Sequence, residues 1–329
     1  MPSIHKAVWL HRLPSTKHEC VEIVDNLARA RIELLVACVK YMDGLVEYPS
    51  KIARIRPGLE KFDPLTELCQ LTSQHGIKLH AWFCVFTEGT TSPLVLKYPA
   101  VKALTPEGKT VAPHGISNTL WVCPRRPEVQ EYELSLFKEV MTNYPVSGVH
   151  LDYIRYHNRS VCYCGVCRNS FHKEFGKDIS LMTREFDDEV YVPALAWRAD
   201  PVTKFVENLR KETHLLHKEL SAAVFTAYPS CYSGEGQDWR KWCENMLVDY
   251  ICPMTYCPAP VQVDTYTRLH RALVSKPVLL WEGILRYKWA TSAQFIELVQ
   301  TAINAGADGI VVFQYSALSP EDISMLAHL

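Results

Sequence analysis

The chain has almost no net charge, no long apolar run and no glycine-rich phosphate loop. Its 35 basic and 36 acidic residues leave a formal charge of -1 over 329 residues. That balance removes the electrostatic case for binding nucleic acid or an anionic membrane. No uncharged apolar stretch reaches the roughly 18 residues that a membrane span needs. The start, Met1-Pro2-Ser3-Ile4-His5-Lys6, has no extended apolar core of a secretory signal. A cytoplasmic protein is therefore expected, or a secreted one if a signal has been removed. No Gly-x-Gly-x-x-Gly follows the first apolar strand, which argues against a dinucleotide-binding sheet. No phosphate-binding motif is found either.

Hydrophobic residues make up 48% and charged residues 22%, an ordinary globular composition. Aromatics are plentiful, with 8 Trp, 16 Tyr and 11 Phe, a trait of sugar-binding surfaces and of large cores alike. The 12 cysteines are scattered, and Cys38, Cys84 and Cys252 fall inside apolar runs. There they act as small buried hydrophobes and suit a reducing compartment better than a disulfide framework.

Short apolar runs alternate with amphipathic segments along the chain. Strands are expected at Ile4–Leu10, Leu34–Val39, Lys78–Phe86, Ser147–Tyr156, Ala222–Tyr228, Val248–Tyr256, Pro277–Gly283 and Asp308–Tyr315. Helical spacing covers 19–31, 64–75, 128–143, 194–220, 238–246, 261–274 and 292–304, and a last helix starts at Ser319-Pro320. Asp63-Pro64 has the form of an N-cap followed by proline at the first helical position. Eight near-continuous apolar strands, each followed by a helix, call for a parallel sheet covered on both sides. A (β/α)8 TIM barrel over 1–329 is the expected fold, with a doubly wound sheet as the competitor. Two long irregular stretches, 87–127 and 157–193, are expected as loop insertions over the barrel mouth.

In such barrels the active site lies at the C-terminal ends of the strands. The fourth strand, Gly148-Val149-His150-Leu151-Asp152-Tyr153-Ile154-Arg155-Tyr156, carries a carboxylate inside an apolar run. Burying even a neutral polar group without a partner costs on the order of 2–7 kcal/mol, so Asp152 is either used or ion-paired. Period-2 alternation puts His150, Asp152 and Ile154 on one face. Glu282 falls at the expected end of the seventh strand, across the mouth. Two carboxylates flanking an aromatic cleft meet the requirement for glycoside hydrolysis: one protonates the leaving oxygen, and the other attacks or activates water. Asp152 and Glu282 are therefore the candidate catalytic pair. Their roles stay open, since Arg155 would lower the pKa of Asp152 and suit a nucleophile. Candidate substrate contacts are His150, Arg155, Tyr156, Lys40, Trp82, Tyr228, Tyr256, Trp281 and Gln314. On a regular strand, Trp281 next to Glu282 would point outward. Each has a structural alternative: a core histidine, a salt bridge or rim packing. Other readings are a non-catalytic carbohydrate-binding barrel, and a lyase or isomerase using His150 and Lys40.

Cys162, Cys164 and Cys167 fall within six residues after the fourth strand. They can reach one metal, with Cys123, His157 or His172 as a fourth ligand. A structural zinc, a disulfide and free thiols are the three alternatives. No cofactor is required by the hydrolytic reading, and its partner is a glycan.

Several segments resemble a known family. Trp121-Val122-Cys123-Pro124-Arg125-Arg126-Pro127-Glu128-Val129 resembles the W-x-x-P-x-x-P-E-V segment of the family 10-like glycosyl hydrolases, which are distinct from the family 10 xylanases. Leu104-Thr105-Pro106-Glu107-Gly108-Lys109 resembles the turn that precedes it there. Gly148–Tyr156 is similar to their G-[IV]-H-x-D-[DY] strand. Cys162-Tyr163-Cys164-Gly165-Val166-Cys167 with Phe171 resembles a C-x-C-x-x-C-x-x-x-F insertion found in several barrel glycosidases. The resemblance spans about 78–175 and implies a glycoside hydrolase or a close relative. The fourth strand and Met254-Thr255-Tyr256 are also similar to the chitinase pattern. That pattern needs a Glu where this chain has Ile154, so its substrate-assisted acid is missing.

Overall fold

The computed structural model describes residues 4–180 and 190–329. Met1-Pro2-Ser3, read above for a signal, and residues 181–189 of the second insertion lie outside the described residues. Among the described residues ten strands form: β1 His5–Leu10, β2 Leu34–Lys40, β3 Lys78–Cys84, β4 Thr87–Gly89, β5 Thr119–Trp121, β6 Gly148–Asp152, β7 Glu219–Val224, β8 Tyr250–Pro253, β9 Leu279–Leu285 and β10 Gly309–Phe313. Eight of them close into a barrel in the order β1-β2-β3-β6-β7-β8-β9-β10, and β4 and β5 pair antiparallel outside it. Neighbouring barrel strands all pair in parallel. The fold is the expected (β/α)8 barrel. Its strands are mostly apolar because helices cover their outer faces and side chains fill the interior.

The helices are α1 Lys17–Arg29, α2 Pro64–Gln74, α3 Pro93–Lys97, α4 Pro127–Asn143, α5 Gly165–Phe175, α6 Tyr191–Leu215, α7 Ser230–Glu235, α8 Trp239–Glu244, α9 Pro260–Leu273, α10 Ser292–Asn304 and α11 Pro320–Leu326. Local chemistry sets many of their starts. Thr16 and Glu19 form a reciprocal capping box on α1, as do Thr291 and Gln294 on α10. Asp63 caps α2 with Pro64 in the first turn. The helix α6 begins and ends earlier than expected, which frees Glu219–Leu220 to open β7. Among the described residues, no helix is long and apolar enough to cross a membrane.

The barrel interior is partly polar. Near its N-terminal end, Trp281 lies stacked on His5 and tilted against Tyr250, with ring centroids 5.6 and 4.8 Å away. A hydrogen-bonded chain crosses the interior above it. The Trp9 indole N–H donates to His150 Nε2 at 3.1 Å, so the proton of His150 sits on Nδ1, which faces Ser221 Oγ at 2.8 Å. Ser221 Oγ also meets His80 Nδ1 at 2.9 Å, and His80 Nε2 meets Glu219 Oε2 at 3.0 Å. Burial lowers the pKa of both histidines, that of His150 strongly. Both are neutral bridging groups. For Glu219, burial favours the neutral acid, but hydrogen bonds from His80, Lys78 and Tyr250 outweigh it and bring its pKa down to about 2.

Candidate active site

A cavity of about 380 Å³ opens at the C-terminal ends of the strands. Trp9 and His11 come from β1 and its end, Met42 from the loop after β2, and Trp82 and Cys84 from β3. Asp152, Tyr153 and Arg155 close β6; Ala223 and Phe225 follow from β7; Met254 and Tyr256 come after β8; and Phe313 ends β10. His114 reaches in from the first insertion. Its wall is mainly aromatic. Asp152 is its one carboxylate among the described lining residues.

Asp152 ends β6 and is 7% exposed. Its Oδ1 accepts the Tyr153 backbone N–H at 2.6 Å and Arg155 Nη1 at 3.4 Å. Burial raises its pKa, and this effect exceeds the opposing pull of Arg155, of the Tyr153 N–H and of Trp82. The pairing that would have suited a nucleophile is thus outweighed by desolvation. Arg155 is itself held between rings, 4.4 Å from the Phe225 centroid and 4.7 Å from that of Tyr153.

The alternation expected through Ile154 breaks at Tyr153. This residue has φ 51°, a left-handed conformation that costs a non-glycine residue roughly 1–2 kcal/mol. The turn brings Tyr153 into the pocket beside Asp152 and leaves Ile154 fully buried outside it. The Tyr153 hydroxyl meets His114 Nε2 at 2.7 Å, which ties the first insertion to the end of β6. His11, close to Tyr41, Trp82 and Phe313, has its pKa lowered by burial and then by Arg12.

Of the residues proposed from sequence, Asp152, Arg155, Trp82 and Tyr256 line this cavity. Glu282 does not. The strand β9 starts two residues later than expected and runs to Leu285, so Glu282 is the fourth of seven residues rather than a strand end. Its neighbour Gly283 faces inward: a Cβ there would lie 3.0 Å from the Trp9 ring and 2.7 Å from Pro253 O. Alternation then turns Trp281 in and Glu282 out, the reverse of the expected orientation. Glu282 is fully buried against α9, where both oxygens lie 3.1 Å from His270 Nδ1 and Oε1 also accepts the Thr255 hydroxyl. His270 Nε2 meets Thr226 O at 2.8 Å, so both ring nitrogens face acceptors. Burial opposes charge on His270, but Glu282 and the Thr226 carbonyl prevail and raise its pKa.

Lys40 is likewise turned away from the mouth. Its Nζ lies 2.9 Å from both Glu88 Oε1 and Glu133 Oε1, and it donates to the carbonyls of Cys84, Val85 and Thr87 at 2.9–3.1 Å. His150 is fully buried in the interior chain below the cavity. Trp281 packs near the other end of the barrel. Tyr156 is buried behind the wall with the Arg198 guanidinium 4.5 Å from its ring centroid. Tyr228 donates to Asp238 at 3.0 Å and packs on Trp239. Gln314 gives its place in the lining to Phe313. The lyase or isomerase pair of His150 and Lys40 is not assembled: one is in the interior, the other outside the strands.

The lining residues that sequence reasoning missed are chiefly Trp9, Tyr153, His114 and Phe313. Correct strand parity would have found Trp9 and Phe313. No periodic signal marks His114 or Tyr153, since one lies in an irregular loop and the other owes its place to a backbone turn.

Behind the pocket wall, Cys162, Cys164 and Cys167 meet Cys123, all four buried and with sulfurs within 4.8 Å of one another. Such a group could hold a metal ion. His157, an alternative fourth ligand, packs instead against Trp121.

Similarity to known proteins agrees with the barrel. The chain superposes on the glycoside hydrolase domain of PgaB (BpsB) from Bordetella bronchiseptica with a TM-score of 0.79, at 10% identity and covering 98% of each chain. It is 26% identical over 311 residues to the glycosyl hydrolase DigH of Escherichia coli K12, covering 82% of this chain. It is 20% identical over 303 residues to the glycosyl hydrolase YngK of Bacillus subtilis, covering 83% of this chain. The chain spans 65% of the length of DigH and 56% of that of YngK. The family profile of the glycosyl hydrolase-like 10 proteins matches residues 2–295, and the chain belongs to that family.

Proposed function

We propose that this barrel hydrolyses a glycosidic bond in an oligo- or polysaccharide seated across its mouth, with Asp152 as the proton donor. The observation that carries the reading is one buried carboxyl, its pKa raised by desolvation, in a wall of Trp, Tyr and Phe rings. Aromatic faces stack on the C–H faces of sugars, and a carboxyl kept neutral by burial can protonate the leaving oxygen. Arg155 and the Tyr153 N–H hold the carboxyl in one orientation and stabilise the carboxylate left after transfer. Tyr256 and Trp82 are the proposed stacking surfaces. Glu282, paired with His270, is a structural carboxylate in this reading. The attacking oxygen then comes from water or from the sugar itself, rather than from a second lining carboxylate. This reading requires no cofactor. The four-cysteine group lies behind the wall, outside this cavity.

A screen of oligosaccharides and aryl glycosides tests the proposal, with product stereochemistry read by NMR. Turnover that disappears in a folded Asp152→Asn variant supports it; turnover that survives overturns it. A second reading, a non-catalytic carbohydrate-binding barrel, is favoured by the single lining carboxylate. It predicts glycan binding by calorimetry that is equal in the wild type and Asp152→Asn, with no product from either.

A further inference from the structure

Four sulfurs converge where the two mouth insertions meet. Cys123 lies in the turn between β5 and α4. Cys162 and Cys164 lie in the loop after β6, and Cys167 is in the first turn of α5. None is more than 4% exposed. All four Sγ atoms are within 4.8 Å of one another, and Cys123 Sγ and Cys167 Sγ are 3.5 Å apart. The Cys164 backbone N–H points at Cys162 Sγ, 3.4 Å away. A tetrahedral ion with metal–sulfur bonds of about 2.3 Å places its sulfurs about 3.8 Å apart. Burial of small apolar side chains asks for no such convergence on one point.

The charges around the cluster point the same way. Arg198 is 3% exposed and has no carboxylate partner among the described residues. It donates to the carbonyls of Asn158, Arg159 and Val161, in the loop that carries the cysteines, and its Nε has no hydrogen-bond acceptor. Glu235 acts on Arg198 through space without forming an ion pair, and a divalent ion with four thiolates would add two negative charges beside this buried cation.

We propose that Cys123, Cys162, Cys164 and Cys167 bind one divalent metal ion, with zinc the first choice, in a closed four-sulfur site. Four protein ligands leave no position for water, so the ion is structural. It joins two stretches that build the pocket wall. The Cys123 loop follows Trp121, and the Cys162–Cys167 loop follows Arg155, whose guanidinium lies 5.8 Å from the Trp121 ring centroid. Binding releases the thiol protons, so affinity falls in acid.

The test uses the full chain, purified anaerobically under reducing conditions from zinc-supplemented cells. Elemental analysis should find one zinc per chain. Cobalt exchanged into the site should show the charge-transfer and intense d–d bands of tetrahedral thiolate coordination. Stripping the ion with a strong chelator should expose four further thiols to alkylation and lower Tm. Cys123→Ser should lose the four-sulfur cobalt spectrum. Absence of zinc together with no cobalt uptake overturns the proposal. So does a disulfide at Cys123 in the alkylated protein, or an unchanged cobalt spectrum in Cys123→Ser. If that variant does not accumulate, the wild-type cobalt spectrum and the thiol count on stripping decide the matter alone.

Discussion

The mouth of the barrel and the layer between its strands and helices both bury carboxylates, and they treat them differently. In the outer layer, Glu282 is held by the Thr255 hydroxyl and by His270, whose other nitrogen is also bonded. Lys40 is surrounded by two carboxylates and three carbonyls. Burial, and then the neighbouring Glu88, push the pKa of Glu133 well up against the pull of Lys40. At the mouth, Asp152 has one backbone donor and one long contact to Arg155, and desolvation wins. A buried charge is therefore no sign of function by itself. A buried charge that its neighbours leave partly uncompensated, beside open space, is a better sign.

Substitutions can break or sharpen this contrast. Asp152→Asn carries the largest expected effect on function: a loss of turnover on the order of 10²–10⁴, the usual worth of a positioned acid. Its effect on stability runs the other way. An acid whose folded pKa lies above the unfolded value lends stability that is full below the unfolded pKa and lost as pH rises through the folded one. The uncharged Asn keeps that stability at neutral pH, so Tm should stay level or rise in calorimetry. Equal loss of folding and activity would erase the distinction between the two regions.

Lys40→Met is the counterpart in the outer layer. Removing one partner of a buried ion cluster costs about 3–5 kcal/mol, read as a lowered midpoint in denaturant titration. The fraction that stays folded should keep its turnover number. Glu282→Gln should cost less, about 1–3 kcal/mol, because Gln still accepts from Thr255 and keeps a polar group facing His270. Its kcat should remain within a few-fold of wild type. A collapse in kcat with unchanged stability would restore Glu282 as a catalytic group.

Arg155→Met should have the smallest effect and the most diagnostic one. Arg155 opposes the rise in the Asp152 pKa. Without it the pKa climbs further, so the alkaline limb of kcat/KM should move to higher pH. A shift of the acid limb to higher pH, with the alkaline limb unmoved, would make Asp152 a base or nucleophile.

Much of the fold was legible because it rests on local rules. Apolar runs bounded by turns marked all eight barrel strands, and Asp63-Pro64 marked the start of α2 where the structure has it. The errors lay at strand ends, and they carried into the site. Shifting β9 by two residues made Glu282 look like a strand end, although it lies mid-strand. Lys40 does end β2, yet it faces the helical layer. In a strand that is apolar on both faces, composition gives no parity, and one residue of slip exchanges the inside for the outside. Asp152 was found because a carboxylate in an apolar run has to be accounted for wherever the strand ends.

From sequence alone, the alternation of buried strands and amphipathic helices determined a closed parallel barrel, and the motif around Asp152 determined its family resemblance. Three clustered cysteines were also evident. The tertiary structure alone decided that Gly283 faces Trp9 and so sends Glu282 outward, that Tyr153 turns back beside Asp152, and that Cys123 is the fourth sulfur. The reason is the range of the forces. Helix and strand propensity act within a few residues, whereas Gly283 meets Trp9, and Cys123 meets Cys167, only when segments far apart in the chain are folded together.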